Sequence, residues 1–193
     1  EIIDTTCHWV KKAQSIAKAF ADEGRQVILV GDKGHAEVKG LIGWSGNKGI
    51  VIDSASDIEK LNFPANEKIG VLAQTTQSES HFKAIVSDLK NKYSDVKQND
   101  TICKATLMRQ DAAVELAGQV DLMLVIGDKM SANTKRLTEL CSKAGAKTYQ
   151  IQAAGELDLN WLAGKSKIGV TAGASTPDWV IDEVIKKLKQ VNG

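Results

Sequence analysis

The sequence lacks an excess of either charge. Its 25 basic and 24 acidic residues leave a net charge of +1. No basic stripe and no acidic tail appears, so nothing electrostatic argues for nucleic acid or an anionic membrane as a partner. A long hydrophobic run is absent too. The longest, Leu-Met-Leu-Val-Ile at 122–126, falls far short of the ~20 apolar residues a membrane-crossing helix needs. There is no secretory leader pattern and no initiating Met, and the opening Glu-Ile-Ile-Asp-Thr-Thr-Cys reads as internal to something longer. The three cysteines are an odd number with no Cys-x-x-Cys pair. A disulfide framework is therefore not expected, and a reducing cytoplasm is. What remains is ordinary globular composition, 42% apolar and 25% charged, over 193 residues, a length for one large domain or two small ones.

What the sequence does contain is a duplication. Asp-Thr-Thr-Cys at 4–7 returns as Asp-Thr-Ile-Cys at 100–103. Each cysteine is followed 24 positions later by Gly-Asp-Lys, at 31–33 and at 127–129, and each Gly-Asp-Lys follows an apolar run. Ile-Gly-Val-Leu-Ala-Gln-Thr-Thr at 69–76 is answered by Ile-Gly-Val-Thr-Ala-Gly-Ala-Ser-Thr at 168–176. A repeat of this length implies two related small domains rather than a solenoid, with expected limits 1–95 and 96–193.

Each half alternates short β-rich runs with helical periodicity. Strands are expected at Val27–Val30, Ile50–Ile52 and Ile69–Leu72, with Ile2–Ile3 as a stub. The second half should hold Leu122–Ile126, Lys147–Ile151 and Lys167–Val170, with a weak strand near Val96. Spacings of three and four mark helices through Val10, Ala13, Ala17 and Phe20; through Phe82, Ile85, Val86 and Leu89; and through Ile181, Val184, Ile185 and Leu188. Alternation of this kind predicts an α/β fold: two tandem, pseudo-symmetric three-layer α/β/α domains with small parallel sheets. Ligands of such sheets gather where the carboxyl ends of strands feed helix N-termini.

Those strand ends carry the unusual residues. Any one polar turn there is explained by helix capping, and Ser175-Thr176-Pro177-Asp178 reads as a cap followed by Pro at the first helical position. Several converging at one sheet end would make an anion site from free N–H groups and helix dipoles. Cys7 and Cys103 fall at helix starts, a position that favours the metal-binding thiolate; a lone cysteine is otherwise a small buried hydrophobe. Cys141 sits in the stripe Leu137, Leu140, Cys141, Ala144 and reads as core. His35 and Ser131 each lie 28 residues after their cysteine, in equivalent loops. His35 could pair with an anion or be a surface loop histidine; Ser131 could donate to one. Glu37 could deliver a proton or be an ordinary helix-start carboxylate. His8 and His81 have no such support, and Lys33 and Lys129 read as solvated.

These segments resemble the 4-hydroxy-3-methylbut-2-enyl diphosphate reductases, the iron–sulfur enzymes that end the non-mevalonate route to isoprenoids. The likeness runs the length of the chain. It is carried by DTICKATLMRQDAAVELA, GDKMSANTKRLTEL and GVTAGASTP, with DTTC and HAEVKG fitting earlier motifs. The resemblance implies a cloverleaf of three similar α/β domains around a [4Fe–4S] cluster, each domain giving one cysteine. Cys7 and Cys103 match the second and third cluster ligands. His35 matches a diphosphate-binding histidine, Glu37 the proton supplier, and Thr75 the threonine beside the substrate hydroxyl. Ser131, Asn133 and Ser175 match diphosphate-binding positions, with Ala132 where some members have another Ser. His8 stands where Pro is common, and Lys104 where an aromatic or small polar residue is common.

Nothing in the chain matches the family's opening segment, so the resemblance implies the C-terminal two of three domains, with the N-terminal domain as a required partner. For the whole enzyme it implies reductive dehydroxylation of an allylic diphosphate to isopentenyl and dimethylallyl diphosphate, with electrons from an external donor such as ferredoxin or flavodoxin. Two other readings remain open: a phosphate- or diphosphate-binding α/β module without redox chemistry, and a structural fragment that binds nothing.

Overall fold

The computed structural model describes residues 3–191, and the chain divides into two compact units, Glu1–Lys104 and Ala105–Gly193. In chain order the first unit holds α1 (His8–Asp22), β1 (Gln26–Val30), α2 (Ala36–Trp44), β2 (Ile50–Ile52), α3 (Ala55–Glu59), β3 (Lys68–Ala73), α4 (Glu79–Lys92) and β4 (Asp95–Asn99). Helix α5 (Lys104–Ala117) starts on the last residue of the first unit and belongs otherwise to the second, which continues with β5 (Leu122–Ile126), α6 (Ala132–Lys143), β6 (Lys147–Ile151), two short 3-10 turns, β7 (Ile168–Ala172) and α7 (Asp178–Val191). Every strand pairing is parallel, in the orders β2-β1-β3-β4 and β6-β5-β7. This is the α/β class with small parallel sheets that strand–helix alternation predicts.

The strands are apolar along their length because helices cover both faces. In the second unit, Leu122, Leu124 and Ile126 face Val180, Val184 and Leu188 of α7. The alternate residues Met123 and Val125 face Ala113, Ala117, Leu137 and Cys141 on the opposite side. In the first unit, Val27, Leu29 and Leu72 pack with Ala13, Ala17 and Phe20 of α1 and with Val38 and Leu41 of α2. Ile28 and Val30 turn to the other face and are also fully buried. Each such side chain contributes about 1.5–3 kcal/mol relative to exposure. No helix among the described residues is long and apolar enough to cross a membrane.

The weak strand near Val96 does not belong to the second half. As β4 it pairs with β3, from Lys68↔Asp95 to Leu72↔Asn99, and the compact units divide after Lys104, not between residues 95 and 96. Sequence similarity begins at the Asp-Thr-x-Cys turns, but hydrogen bonding assigns the strand before the second turn to the first sheet. Ile2 lies outside the described residues, and Ile3 is in no strand. Thr176 also departs from its expected role as a cap. Its hydroxyl donates to the Ile126 carbonyl at 3.0 Å, tying the turn after β7 to the end of β5.

Glycine marks the middle of each Ile-Gly-Val strand for a packing reason. A Cβ on Gly70 would lie 2.5 Å from the Phe20 ring, and one on Gly169 would run into Met123 and Leu116. Gly70→Val is therefore expected to destabilise the first unit by about 1–3 kcal/mol, read as a lower urea midpoint. An unchanged midpoint would show that Phe20 moves aside without cost.

Candidate functional site

The Gly-Asp-Lys turns bring two helix N-termini to the strand ends. After β1, His35 N–H donates to the Asp32 carbonyl at 3.0 Å; after β5, Ser131 N–H donates to the Asp128 carbonyl at the same distance. His35 and Ser131 are then the N-caps of α2 and α6. His35 Nδ1 accepts from Glu37 N–H at 3.2 Å, and Ser131 Oγ accepts from Thr134 N–H at 3.4 Å. With Nδ1 accepting, the proton of the neutral ring sits on Nε2, which is left as a donor. Both caps satisfy one orphan N–H while the remaining dipole still favours an anion.

Glu37, in the first turn of α2, reaches across to the turn after β3. Its Oε1 accepts Thr75 N–H at 2.7 Å and its Oε2 accepts the Thr75 hydroxyl at 2.8 Å. The Thr75 carbonyl in turn accepts Cys103 N–H at 2.9 Å. One residue chain thus links a carboxylate, a hydroxyl and a thiol-bearing backbone within the first unit. Thr101 supports it from behind. Its hydroxyl accepts Ala73 N–H at 3.0 Å and donates to the Ala73 carbonyl through a short contact. Gln74 closes the other flank, accepting Asp32 N–H at 2.9 Å.

The second unit repeats the frame with different side chains. Asn133 occupies the position of Glu37 and is 7% exposed. Ala174 stands where Thr75 would be, so Asn133 has nothing equivalent to hold. Neither its Nδ2 nor its Oδ1 has a hydrogen-bond partner among the described residues, and nor does Thr134 Oγ1. Leaving such a buried group unpaired costs about 1–3 kcal/mol. Thr134 packs against Gly127 and Gly173, where no side chain could fit. Ser175 is exposed in the turn before α7, and Ala132 is buried.

Cys7 is the exposed N-cap residue of α1, with no side-chain cap bond, and Cys103 is half-buried just before α5. Both turns are shaped alike: Asp4 Oδ1 accepts Thr6 N–H at 3.0 Å, and Asp100 Oδ1 accepts Ile102 N–H at 2.9 Å. Cys141 is 0% exposed, and burial pushes its thiol pKa up to about 11. Thiols are the donor type an iron–sulfur group needs, and these two stand at helix starts outside the core. Among the described residues, no three His, Cys, Asp or Glu side chains converge as a metal site.

His8 is exposed beside Trp9. His81 Nε2 stands 3.8 Å from Asp53 Oδ1. Lys33 and Lys129 are exposed as expected, but each is ion-paired, with Asp57 at 3.2 Å and Glu156 at 2.9 Å. Sequence reading gave no role to Thr101, Gln74 or Thr134. Only Thr101 carried a signal, as the Thr that both Asp-Thr-x-Cys turns share.

The sequence pattern of the LytB protein family matches residues 1–189. The 4-hydroxy-3-methylbut-2-enyl diphosphate reductase of Pelobacter propionicus is 46% identical over 192 residues, covering 100% of this chain and 68% of the relative. That of Geobacter sulfurreducens is 45% identical over 190 residues, covering 98% and 67%. Among solved structures, the E-1-hydroxy-2-methyl-but-2-enyl-4-diphosphate reductase from Plasmodium falciparum matches with a TM-score of 0.90 at 32% identity, over 99% of this chain and 60% of that one. The chain thus spans about two thirds of the length of these curated relatives and less of the Plasmodium structure.

Burial separates the three thiols. Brief treatment of the native chain with iodoacetamide is expected to modify Cys7 first, Cys103 more slowly and Cys141 only after denaturation, as read by peptide mass spectrometry. Native labelling of Cys141 at the rate of Cys7 would contradict the packing described.

Proposed function

This chain belongs to the LytB family, and on that premise we propose that it carries the second and third cysteine-bearing parts of a 4-hydroxy-3-methylbut-2-enyl diphosphate reductase working in the cytoplasm. The observation that carries the reading is the hydrogen-bonded path from Glu37 through Thr75 to the Cys103 backbone. It joins a carboxylate, a hydroxyl and the backbone of a cysteine.

In the proposed reaction the allylic C–O bond breaks and the oxygen leaves as water after taking a proton. A second proton adds to carbon, and two electrons enter from an external donor such as ferredoxin or flavodoxin. The products are isopentenyl and dimethylallyl diphosphate. A [4Fe–4S] cluster held partly by the Cys7 and Cys103 thiolates would relay those electrons when bound.

The chain's own residues do the rest. By resemblance to the family, His35 Nε2–H in the first unit, and the Ser131 and Ser175 hydroxyls and Asn133 Nδ2 in the second, are each assigned as donors to diphosphate oxygens, with the helix N-terminus in its own unit favouring the anion. Ala132 adds only backbone there. Glu37 now accepts the Thr75 proton. Once protonated, Glu37 donates through Oε2 to Thr75 Oγ1, and the Thr75 hydroxyl is released to point its own proton at the substrate oxygen. Diphosphate binding fixes the C–O bond relative to that hydroxyl.

In the full-length protein, Glu37→Gln keeps size and hydrogen bonding but removes the proton. It should lower kcat about 100-fold or more with little change in KM, while Asn133→Ala should raise KM and spare kcat. The opposite split would reverse the assignments.

Cys7→Ser and Cys103→Ser in the full-length protein should each abolish or degrade the brown iron–sulfur absorbance, and Cys141→Ser should leave it intact. The 193 residues alone should keep no stable cluster after anaerobic reconstitution and desalting. Diphosphate-dependent thermal stabilisation without iron binding in the full-length protein would instead support a binding module without redox chemistry.

A further inference from the structure

We propose that Thr101 is a positioning residue for the reduction: its hydroxyl holds the turn that bears Cys103 in register with the turn that bears Thr75, so that thiol and hydroxyl keep one fixed relation. The part played in catalysis rests on the reductase reading given above; the register does not.

The ladder between β3 and β4 ends at Leu72↔Asn99, one residue short of Ala73. Backbone groups alternate in direction along a strand. Gln74 N–H turns to the Val30 carbonyl of β1 at 2.8 Å, so Ala73 and Thr75 address the β4 side. Ala73 is 0% exposed, and its N–H and C=O need partners from the protein. Thr101 serves both with one hydroxyl, which accepts Ala73 N–H at 3.0 Å and donates to the Ala73 carbonyl. Thr101 is itself 1% exposed. Two residues later the backbone resumes the pairing. Cys103 N–H donates to the Thr75 carbonyl at 2.9 Å, the bond expected if the register of Leu72↔Asn99 simply continued. The hydroxyl therefore stands in for one missing rung and carries the register across it.

Few side chains can fill that place. The group must donate and accept at once over a short reach, which a hydroxyl does and a carboxylate, an ammonium or a methyl does not. The other supports of the turn act elsewhere. Asp100 Oδ1 accepts Ile102 N–H at 2.9 Å, and Ile102 is 3% exposed. The first closes the turn on itself and the second holds it down on the core, but neither forms a hydrogen bond to the end of β3.

Thr75 is tied to this rung from two sides. Its carbonyl is held by Cys103 N–H, and its own N–H and hydroxyl are held by Glu37 at 2.7 and 2.8 Å. If the turn drifts, either the Cys103 bond breaks or Thr75 is pulled from Glu37. A misplacement of about 1 Å can cost about 100-fold in rate.

The test uses Thr101→Val, which keeps the shape and removes the hydroxyl. Thr101→Ser is the rescue, and Thr101→Ala is a second deletion in case the Val variant does not fold. In the 193-residue chain, exchange of the Cys103 amide should quicken about tenfold or more in the deletion variants and stay near native in the Ser variant. Amides of Leu29 and Leu72, inside the same sheet, are the reference and should keep their protection. In the full-length protein, the deletions should lower kcat per bound cluster about tenfold or more with KM held within about twofold, and Ser should restore it. Native exchange at Cys103 in both deletions would overturn the clamp, and so would an equal loss of protection at Leu29 and Leu72. Faster exchange at Cys103 with native kcat per cluster would make the hydroxyl structural only and overturn the positioning role. A native full-length protein that reduces no allylic diphosphate would sink the reductase reading and the catalytic role with it, whereas the exchange arm would still decide the register.

Discussion

Parallel pairing of β4 with β3 is the constraint on which the candidate site rests. Parallel strands end on the same edge, so the turn after β4 must emerge beside the turn after β3. Ladder bonds carry the pair as far as Leu72↔Asn99, and the Thr101 hydroxyl then takes over at Ala73. Without that clamp the Ala73 backbone would be buried and unpaired, which is costly. With it, Cys103 N–H is delivered to the Thr75 carbonyl, and Thr75 is presented to Glu37. A sheet-building interaction therefore sets the position of a thiol, a hydroxyl and a carboxylate together.

The duplication sets different side chains on one repeated frame. The Gly-Asp-Lys turn, the N-cap and the cross-bond from the end of the third strand recur in both units. What differs is the side chain at equivalent points. Glu37 is engaged twice by Thr75, whereas Asn133 at the equivalent position is buried with neither side-chain polar atom partnered among the described residues. His35 caps with a ring nitrogen and retains a second donor, while Ser131 caps with a hydroxyl. The first pairing closes on itself; the second leaves buried polar atoms without a partner among the described residues. Neither requires a change in backbone, because the caps and turns are the same.

The hydrophobic surroundings of the three cysteines sort them as firmly as their motifs do. Cys141 is packed among Ala113, Met123 and Leu137 in the core, where the thiolate is disfavoured by desolvation. Cys7 and Cys103 sit at helix starts outside that core. Position in the fold thus separates a structural thiol from two that are chemically available.

The sequence alone determined the class of fold. Apolar runs such as Leu122–Ile126 can be stable only when covered on both faces, and helical spacing on either side supplied the cover. The repeat then put Cys7 with Cys103, and His35 with Ser131, at matching helix starts, since a duplicated pattern folds into a duplicated frame. Tertiary structure decided what periodicity cannot carry. Asp95–Asn99 is too polar for its partner to be read from pattern, and only hydrogen bonding to β3 assigns it to the first sheet. The Glu37–Thr75 contact spans 38 residues and the Thr101–Ala73 clamp spans 28. Such bonds join turns that are local in no window of sequence, and they exist because parallel strands bring their carboxyl ends to one edge.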